Sequence, residues 1–260
     1  MPVDTLSLEG KVAIVTGSGR ENGIGAGVAL ALARNGASVV VHYVSDSVAD
    51  RAAKVCDMLR QAGGQAIVVQ AAVDTLDGAR LLVAKTLEGF KTDRIDILVN
   101  NAGVGFLTPI TQEPNPEELA RMMSVNVLGP FYMVNSVTPH MPRGGRIINV
   151  SSTAAVRGNP AISIYAASKA ALENLTWTWA EELGVSKGIT VNSVAPGPVF
   201  TDIYPEGTAE QMSATEISLT RIEKRAGTIE DIGDSVLLLV NEKSRWITGQ
   251  NVGVNGGVSR

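Results

Sequence analysis

The sequence predicts an α/β fold: one domain built on a doubly wound parallel sheet of Rossmann type, with helices on both faces. Three observations predict it. Strand-like and helix-like segments alternate from one end of the 260 residues to the other. The strand-like runs are nearly continuous in apolar residues, which marks strands covered on both faces. A glycine-rich turn follows the first of these runs, at the place where such sheets cradle a phosphate.

The elements follow in order. KVAIVT (11–16) is a β-branched apolar run closed by turn chemistry at Gly17 and Gly19. Ile24, Val28 and Leu32 recur at i, i+4, i+8 on a helix that stops at Gly36. SVVVH (38–42) is a second buried strand, and a helix over about 48–62 ends at Gly63-Gly64. QAIVVQ (65–70) is a third strand, followed by a helix over 76–90. IDILVN (95–100) and RIINVS (146–151) are two more strands, separated by one helix over about 117–136. A long helix then ends near Leu183, and ITVNSV (189–194) forms a further strand. Repeated β-α-β units give a parallel sheet. No linker or low-complexity segment divides the chain, so 1–260 is expected to form one domain, a size at which one core suffices. The stretch 198–228 interrupts the alternation and is expected to be a substrate-binding loop.

Composition excludes several functions. The net charge is −4 and no Lys/Arg run exceeds a pair, so neither nucleic acid nor an anionic membrane is an expected partner. The single cysteine, Cys56, falls within a helix and is expected to pack; no intrachain disulfide can form, which suits a reducing compartment. The N-terminus lacks a basic start with an apolar segment, and no apolar stretch approaches the ~20 residues that span a bilayer. A cytoplasmic protein without a metal centre is expected.

The turn TGSGRENGIG (16–25) fits neither G-x-G-x-x-G read from Gly17, since position 22 is Asn, nor a Walker loop. Its glycines nonetheless let backbone approach a pyrophosphate, whose charge the N–H groups of a helix N-terminus meet. Gly19-x-x-x-Gly23-x-Gly25, with Ile24 between the last two glycines, is one register. The other starts at Thr16-Gly17 and places five residues before Gly23.

SSTAAVRGNPAISIYAASK carries the chemistry. Tyr165 and Lys169 lie four apart at the start of a helix, so their side chains leave one face. A phenol has a pKa of ~10, and a fixed ammonium nearby stabilises the phenolate and lowers it. Such a pair can deliver or remove a proton at a carbonyl or alcohol oxygen. Ser152, just after a strand, can donate a hydrogen bond to the same oxygen.

With these motifs in order, namely the glycine loop, NNAG (100–103), SVNVLG around Asn126, NVSS (149–152), YAASK (165–169) and APGPVFT (195–201), the chain resembles the short-chain dehydrogenase/reductase family over essentially its whole length. The resemblance implies that Tyr165 is the proton donor, that Lys169 lowers its pKa and holds the nicotinamide ribose, that Ser152 positions the substrate oxygen, and that Asn126 fixes a water linking Lys169 to solvent. It further implies that Gly17, Gly19, Arg20, Gly23, Ile24 and Gly25 hold the phosphates, and that Asn100, Ala102 and Gly103 line the adenosine side. Pro196, Gly197, Val199 and Thr201 would cup the nicotinamide. Relatives carry an Asp after the third strand that meets the adenine; here the register gives Ala72, so Val73 and Asp74 become the candidate contacts. Enoyl reductases of the superfamily space their tyrosine and lysine farther apart, so the four-residue spacing implies carbonyl chemistry, and Glu21 and Asn22 become a local insertion that adds or blocks phosphate contacts.

The cofactor is expected to be NADPH/NADP+. An acid at the end of the second strand would grip a ribose 2′-OH and repel a 2′-phosphate, and VVVHYVSDS has none before Asp46. Arg20 stands where NADP-preferring relatives carry a base, and His42, Tyr43 and Ser45 can add hydrogen bonds. Cells keep NADPH reduced, so the expected direction is ketone to alcohol. Phe106, Ile162, Phe200, Ile203, Tyr204 and Met212 are the expected substrate walls, mainly apolar, suiting an uncharged or aromatic ketone of the kind that fungal polyketide and hydroxynaphthalene reductases act on. The resemblance also implies a homotetramer or homodimer. Trp177 and Trp179, two apart on a helix, point in different directions, one expected in the core and the other at an interface, with a plain core role the alternative for either. Alcohol oxidation, reduction of a conjugated alkene, and a dinucleotide-binding sensor or scaffold without turnover are the alternatives.

Overall fold

The computed structural model describes residues 5–202 and 207–259. Seven parallel strands form one sheet: β1 (Val12–Val15), β2 (Ser38–Tyr43), β3 (Gln65–Gln70), β4 (Ile97–Asn100), β5 (Arg146–Val150), β6 (Thr190–Pro196) and β7 (Asn251–Val254). Their order is β3-β2-β1-β4-β5-β6-β7. Strand order reverses between β1 and β4, which pair with Ile14 opposite Leu98. A crevice therefore opens beyond the carboxyl ends of these two strands, where doubly wound sheets bind ligands.

Alternation along each strand divides the apolar residues between two layers. Ala13 and Val15 of β1 join Val39 and Val41 of β2 in one core, with helices α1 (Ile24–Ala33), α2 (Ala49–Gln61) and α8 (Ile229–Val240). Val12 and Ile14 join Leu98 and Ile147 in the other, with α3 (Leu76–Phe90), α5 (Gly129–Val137) and α6 (Ser163–Lys187). Both faces are covered, which is why the strands read as continuous apolar runs. Trp179 of α6 is buried in the second core, whereas Trp177 is exposed. Cys56 is buried, and burial pushes its thiol pKa up. No helix among the described residues is long and apolar enough to cross a membrane.

Helices α1 and α8 meet backbone to backbone. A Cβ at Gly27 would stand 2.4 Å from the Ile229 carbonyl oxygen, and one at Gly233 would stand 2.6 Å from that of Gly27. We expect Gly27→Val to destabilise the protein by on the order of 2–3 kcal/mol, because an overpacked crossing must separate. A urea midpoint equal to wild type would refute the close crossing.

Two expected elements differ. The single helix over 117–136 is instead α4 (Pro116–Met123), a π-helical turn Ser124–Leu128, and α5. The Gly129 N–H bonds the Ser124 carbonyl five residues back, and Pro130 follows with no N–H to give and a ring that would clash in a regular α-turn. The stretch 198–228 is not irregular throughout: it contains α7 (Ala209–Leu219). Beyond β6 the fold continues with α8 and β7. The first is announced by a capping box, Thr228 with Asp231. The second is an edge strand, half exposed.

Candidate active site

The residues expected to be catalytic stand at the end of β5 and the start of α6. Ser152 has extended backbone and caps a short turn, its Oγ accepting from the Ala154 N–H at 3.1 Å, so its own O–H remains to donate. On α6, Tyr165 and Lys169 emerge on successive turns. The Lys169 Nζ donates to the Val150 carbonyl at 2.9 Å and lies 5.8 Å from the centroid of the Tyr165 ring. Burial pulls the Lys169 pKa from 10.5 down to about 8. The ammonium therefore keeps its proton at neutral pH, beside the Tyr165 ring. A Cβ at Gly105 would touch the Tyr165 ring at 3.4 Å, so backbone lies close to one side of it.

Asn126 sits on the π-helical turn and is fully buried. Its Oδ1 accepts from the Val104 N–H at 2.9 Å, and its Nδ2 donates to the Val104 carbonyl at 2.9 Å and to Ser168 Oγ at 3.0 Å. The side chain thus fastens the strand-end segment after β4 to α6. A Cβ at Gly103 would lie 3.4 Å from both Asn126 Oδ1 and Lys169 Nζ. Sequence reasoning missed Glu173, which accepts a hydrogen bond from Ser151 Oγ at 2.7 Å and so ties α6 to the residue before Ser152. Its partner follows β5, 22 positions away in sequence, so no spacing along α6 marks the contact.

The glycine loop is built for close approach. Gly17 has φ +66, and a Cβ there would stand 2.9 Å from Ala102 Cα. A Cβ at Gly25 would fall 2.5 Å from Asn101 Nδ2 and 2.7 Å from the Gly17 carbonyl. Gly23 caps α1 without a side chain, and α1 has no acid in its first turn. The helix N-terminus thus presents positive potential to the crevice, as a pyrophosphate requires. Ala102 closes the loop from the other side, its N–H donating to Thr16 Oγ1 at 3.0 Å. These features fit a dinucleotide.

Several expected contacts fall elsewhere. His42 is completely buried: its Nδ1 accepts from the Gly17 N–H at 2.9 Å and its Nε2 meets the Ala71 carbonyl at 2.9 Å. Burial lowers its pKa to about 4, so it is neutral, and it props the loop from beneath rather than reaching a ligand. Asn100 is also internal, donating to Asn149 Oδ1 at 2.9 Å, because side chains alternate along β4; the next residue, Asn101, lines the cleft instead. The Val73 side chain is in the core. Asp74 is half buried ahead of α3, its carbonyl accepting from Ser124 Oγ at 3.4 Å. Tyr43 packs beside Gly19, and its hydroxyl donates to Gln70 at 3.4 Å. Ser45 is exposed and bonds Ser47, while Arg20 is exposed in the loop. Asp46, the first acid after β2, is held by Gln70 Nε2 at 2.7 Å.

A cleft of about 930 Å³ joins these parts. Ile24, Gly103, Ser152, Tyr165, Lys169, Pro196, Gly197, Val199 and Thr201 line it, together with Phe106, Ile162 and Met212. Phe200 does not line it and is partly exposed, whereas its neighbours Val199 and Thr201 do. Ile203 and Tyr204 lie outside the described residues. The walls are less apolar than expected, since Arg157, Asn159 and Glu216 also line them. All three fall in stretches expected to wall the site, Arg157 and Asn159 in VRGNPAIS (156–163) and Glu216 in 200–217.

A family model described as "Enoyl-(Acyl carrier protein) reductase" matches residues 17–259. The chain is 41% identical over 257 residues to the short-chain dehydrogenase/reductase FrzI of a Cladobotryum species, covering 97% of each chain. It is 38% identical over 275 residues to versicolorin reductase 1 of Dothistroma septosporum, covering 100% of each. Among solved structures, it matches a blue fluorescent protein from a metagenomic library in complex with NADPH, at 35% identity and TM-score 0.89, over 98% of this chain and 100% of that one. It also matches the angucycline C-6 ketoreductase LanV with bound NADP, at 37% identity and TM-score 0.85, over 97% and 96%.

Proposed function

The chain belongs to the short-chain dehydrogenase/reductase family, and from that premise we propose that it is an NADPH-dependent oxidoreductase that reduces a ketone, on an aromatic or polyketide-like substrate, to an alcohol. The observation that carries this proposal is the convergence of Ser152, Tyr165 and Lys169 on one cleft beyond the ends of the central strands. When bound, the reduced nicotinamide supplies a hydride to the carbonyl carbon. Tyr165 gives its proton to the carbonyl oxygen as negative charge develops there. The Lys169 ammonium, fixed by the Val150 carbonyl, stabilises the phenolate left behind. Ser152 donates its O–H to the same oxygen. Asn126 and Glu173 act at one remove, holding the 103–104 backbone and the end of β5 against α6.

The family model's description names enoyl reduction, but the four-residue spacing of Tyr165 and Lys169 favours carbonyl chemistry, as does the name of the ketoreductase relative. NADP in two structural relatives, an exposed Arg20 and the absence of an acid at the end of β2 support NADPH over NADH. A homotetramer in a cytoplasmic setting completes the proposal, with the exposed Trp177 of α6 at a subunit interface.

The test is product analysis with NADPH and a panel of aromatic and unsaturated ketones. An alcohol with the alkene intact is expected; a saturated ketone would make the protein an alkene reductase, and cofactor binding without turnover would make it a sensor. In a paired titration NADPH should bind more tightly than NADH. Arg20→Ala should narrow that preference by about tenfold or more, the worth of one charge-assisted contact to phosphate.

A further inference from the structure

We propose that Arg51 is a positioning residue of the dinucleotide site, the centre of an ionic strap that closes over the bound cofactor. The proposal rests on the dinucleotide reading above. The Arg51 guanidinium, in the first turn of α2, makes three contacts. Its Nε donates to Glu21 Oε2 at 2.6 Å, its Nη2 to Asn22 Oδ1 at 2.7 Å, and its Nη1 to Asp202 Oδ2 at 2.5 Å. Asn22 Nδ2 closes the ring by donating to the other oxygen of Asp202. Glu21 and Asn22 are the two residues that lengthen the glycine loop. Asp202 follows Thr201, a residue of the catalytic cleft.

Topology makes this a strap rather than a local cluster. The glycine loop leaves β1 and Asp202 follows β6, and β4 and β5 lie between those two strands. Three strand spacings of ~4.8 Å separate them in the sheet. A direct contact between loop and Asp202 therefore bridges the crevice above the strand ends, the groove in which a dinucleotide would lie. The lengthened loop supplies the reach, and Arg51 links both carboxylates.

Electrostatics support the same assignment. Glu21 and Asp202 bring two carboxylates to a groove made for a bisphosphate, and alone they would repel it. Burial works against the Asp202 carboxylate, but hydrogen bonds from Arg51 and Asn22, with the charges of Arg51 and Arg20, outweigh it and hold its pKa below the usual range. The side chains of Arg51, Glu21 and Asp202 are 34%, 30% and 26% exposed. The strap is therefore reversible and salt-sensitive, as a device that must open for cofactor exchange has to be.

Asp202→Ala decides the matter by sign. If Asp202 only adds negative charge to the groove, its removal tightens NADPH; if it anchors a strap, its removal releases NADPH faster. The experiment loads the full chain with NADPH, displaces it with excess NADP+ in a stopped-flow instrument, and follows nicotinamide fluorescence at low and high salt. We expect Asp202→Ala and Arg51→Ala each to raise the release rate on the order of tenfold. Arg51→Lys, a point charge without the fork, should fall between. Added salt should speed release from wild type more steeply than from the two alanine variants, which keep only the Arg20 phosphate contact for salt to screen; a merely structural role for Arg51 would leave the two salt slopes equal. Release rates equal to or slower than wild type in both alanine variants overturn the strap and leave the proposed function standing. Failure of wild type to bind NADPH overturns both.

Discussion

Tyr165→Phe is expected to lower ketone reduction by about 10³-fold while leaving NADPH affinity within a few-fold of wild type. The substitution removes one oxygen and keeps the ring that packs beside Gly105, so the cleft retains its shape. What is lost is the proton at the position where the carbonyl oxygen gathers charge, and general acids of this kind are worth about 10²–10⁴ in rate. Ser152 still donates a hydrogen bond to that oxygen, but an aliphatic hydroxyl is a far weaker acid than a phenol, so it does not replace it as proton donor. The check is kcat for any ketone found in the product screen, with NADPH binding measured separately by fluorescence. Near-normal kcat in the variant would mean that the proton comes from elsewhere and would remove the observation on which the proposed function rests.

Lys169→Met should abolish turnover and yet stabilise the protein. The ammonium is buried, and its pKa falls from 10.5 to about 8 in the fold. The unfolded chain therefore holds the proton more tightly than the folded one. Below pH 8 the fold carries the full penalty; between about 8 and 10.5 the penalty fades, so Lys169 makes stability rise with pH across that window. Replacing the ammonium by a thioether of similar length should recover about 3 kcal/mol, less about 1 kcal/mol for the lost hydrogen bond to Val150, or about 2 kcal/mol net at pH 7. Urea unfolding of both proteins at pH 7 and pH 10 measures this. The difference should shrink at the higher pH, and two curves that run parallel would show that burial of the lysine costs the fold little. A stabilised but inactive variant would locate part of the cost of catalysis at one residue.

Much of the molecule was legible in the sequence because its signals are local. β-branched runs fully covered on both faces, such as VAIV and VVVH, mark strands by composition alone, and glycines at 36 and 63–64 end the helices that precede the next strands. Tyr165 and Lys169 share a helix, so their spacing carries their geometry. Ser152 and the glycine loop were legible for a related reason, since each sits immediately after a strand and strand ends in this fold converge.

What the sequence by itself determined, then, is the alternation of elements, the parallel sheet, and the residues whose partners lie within a turn of them or at a neighbouring strand end. Only the tertiary structure decided the rest. It turned His42 and Asn100 inward, because the face a strand residue occupies depends on register with strands far away in the chain. It broke the helix around Asn126 into a π-helical turn, which puts that side chain onto Val104 and Ser168. It also gave the extra loop residues distant partners, since Glu21, Arg51 and Asp202 are separated by up to 181 positions in sequence and meet only where the sheet brings three strand ends to one crevice. Contacts of that separation have no period and no spacing to betray them; they exist because packing both faces of the sheet fixes where every loop must emerge.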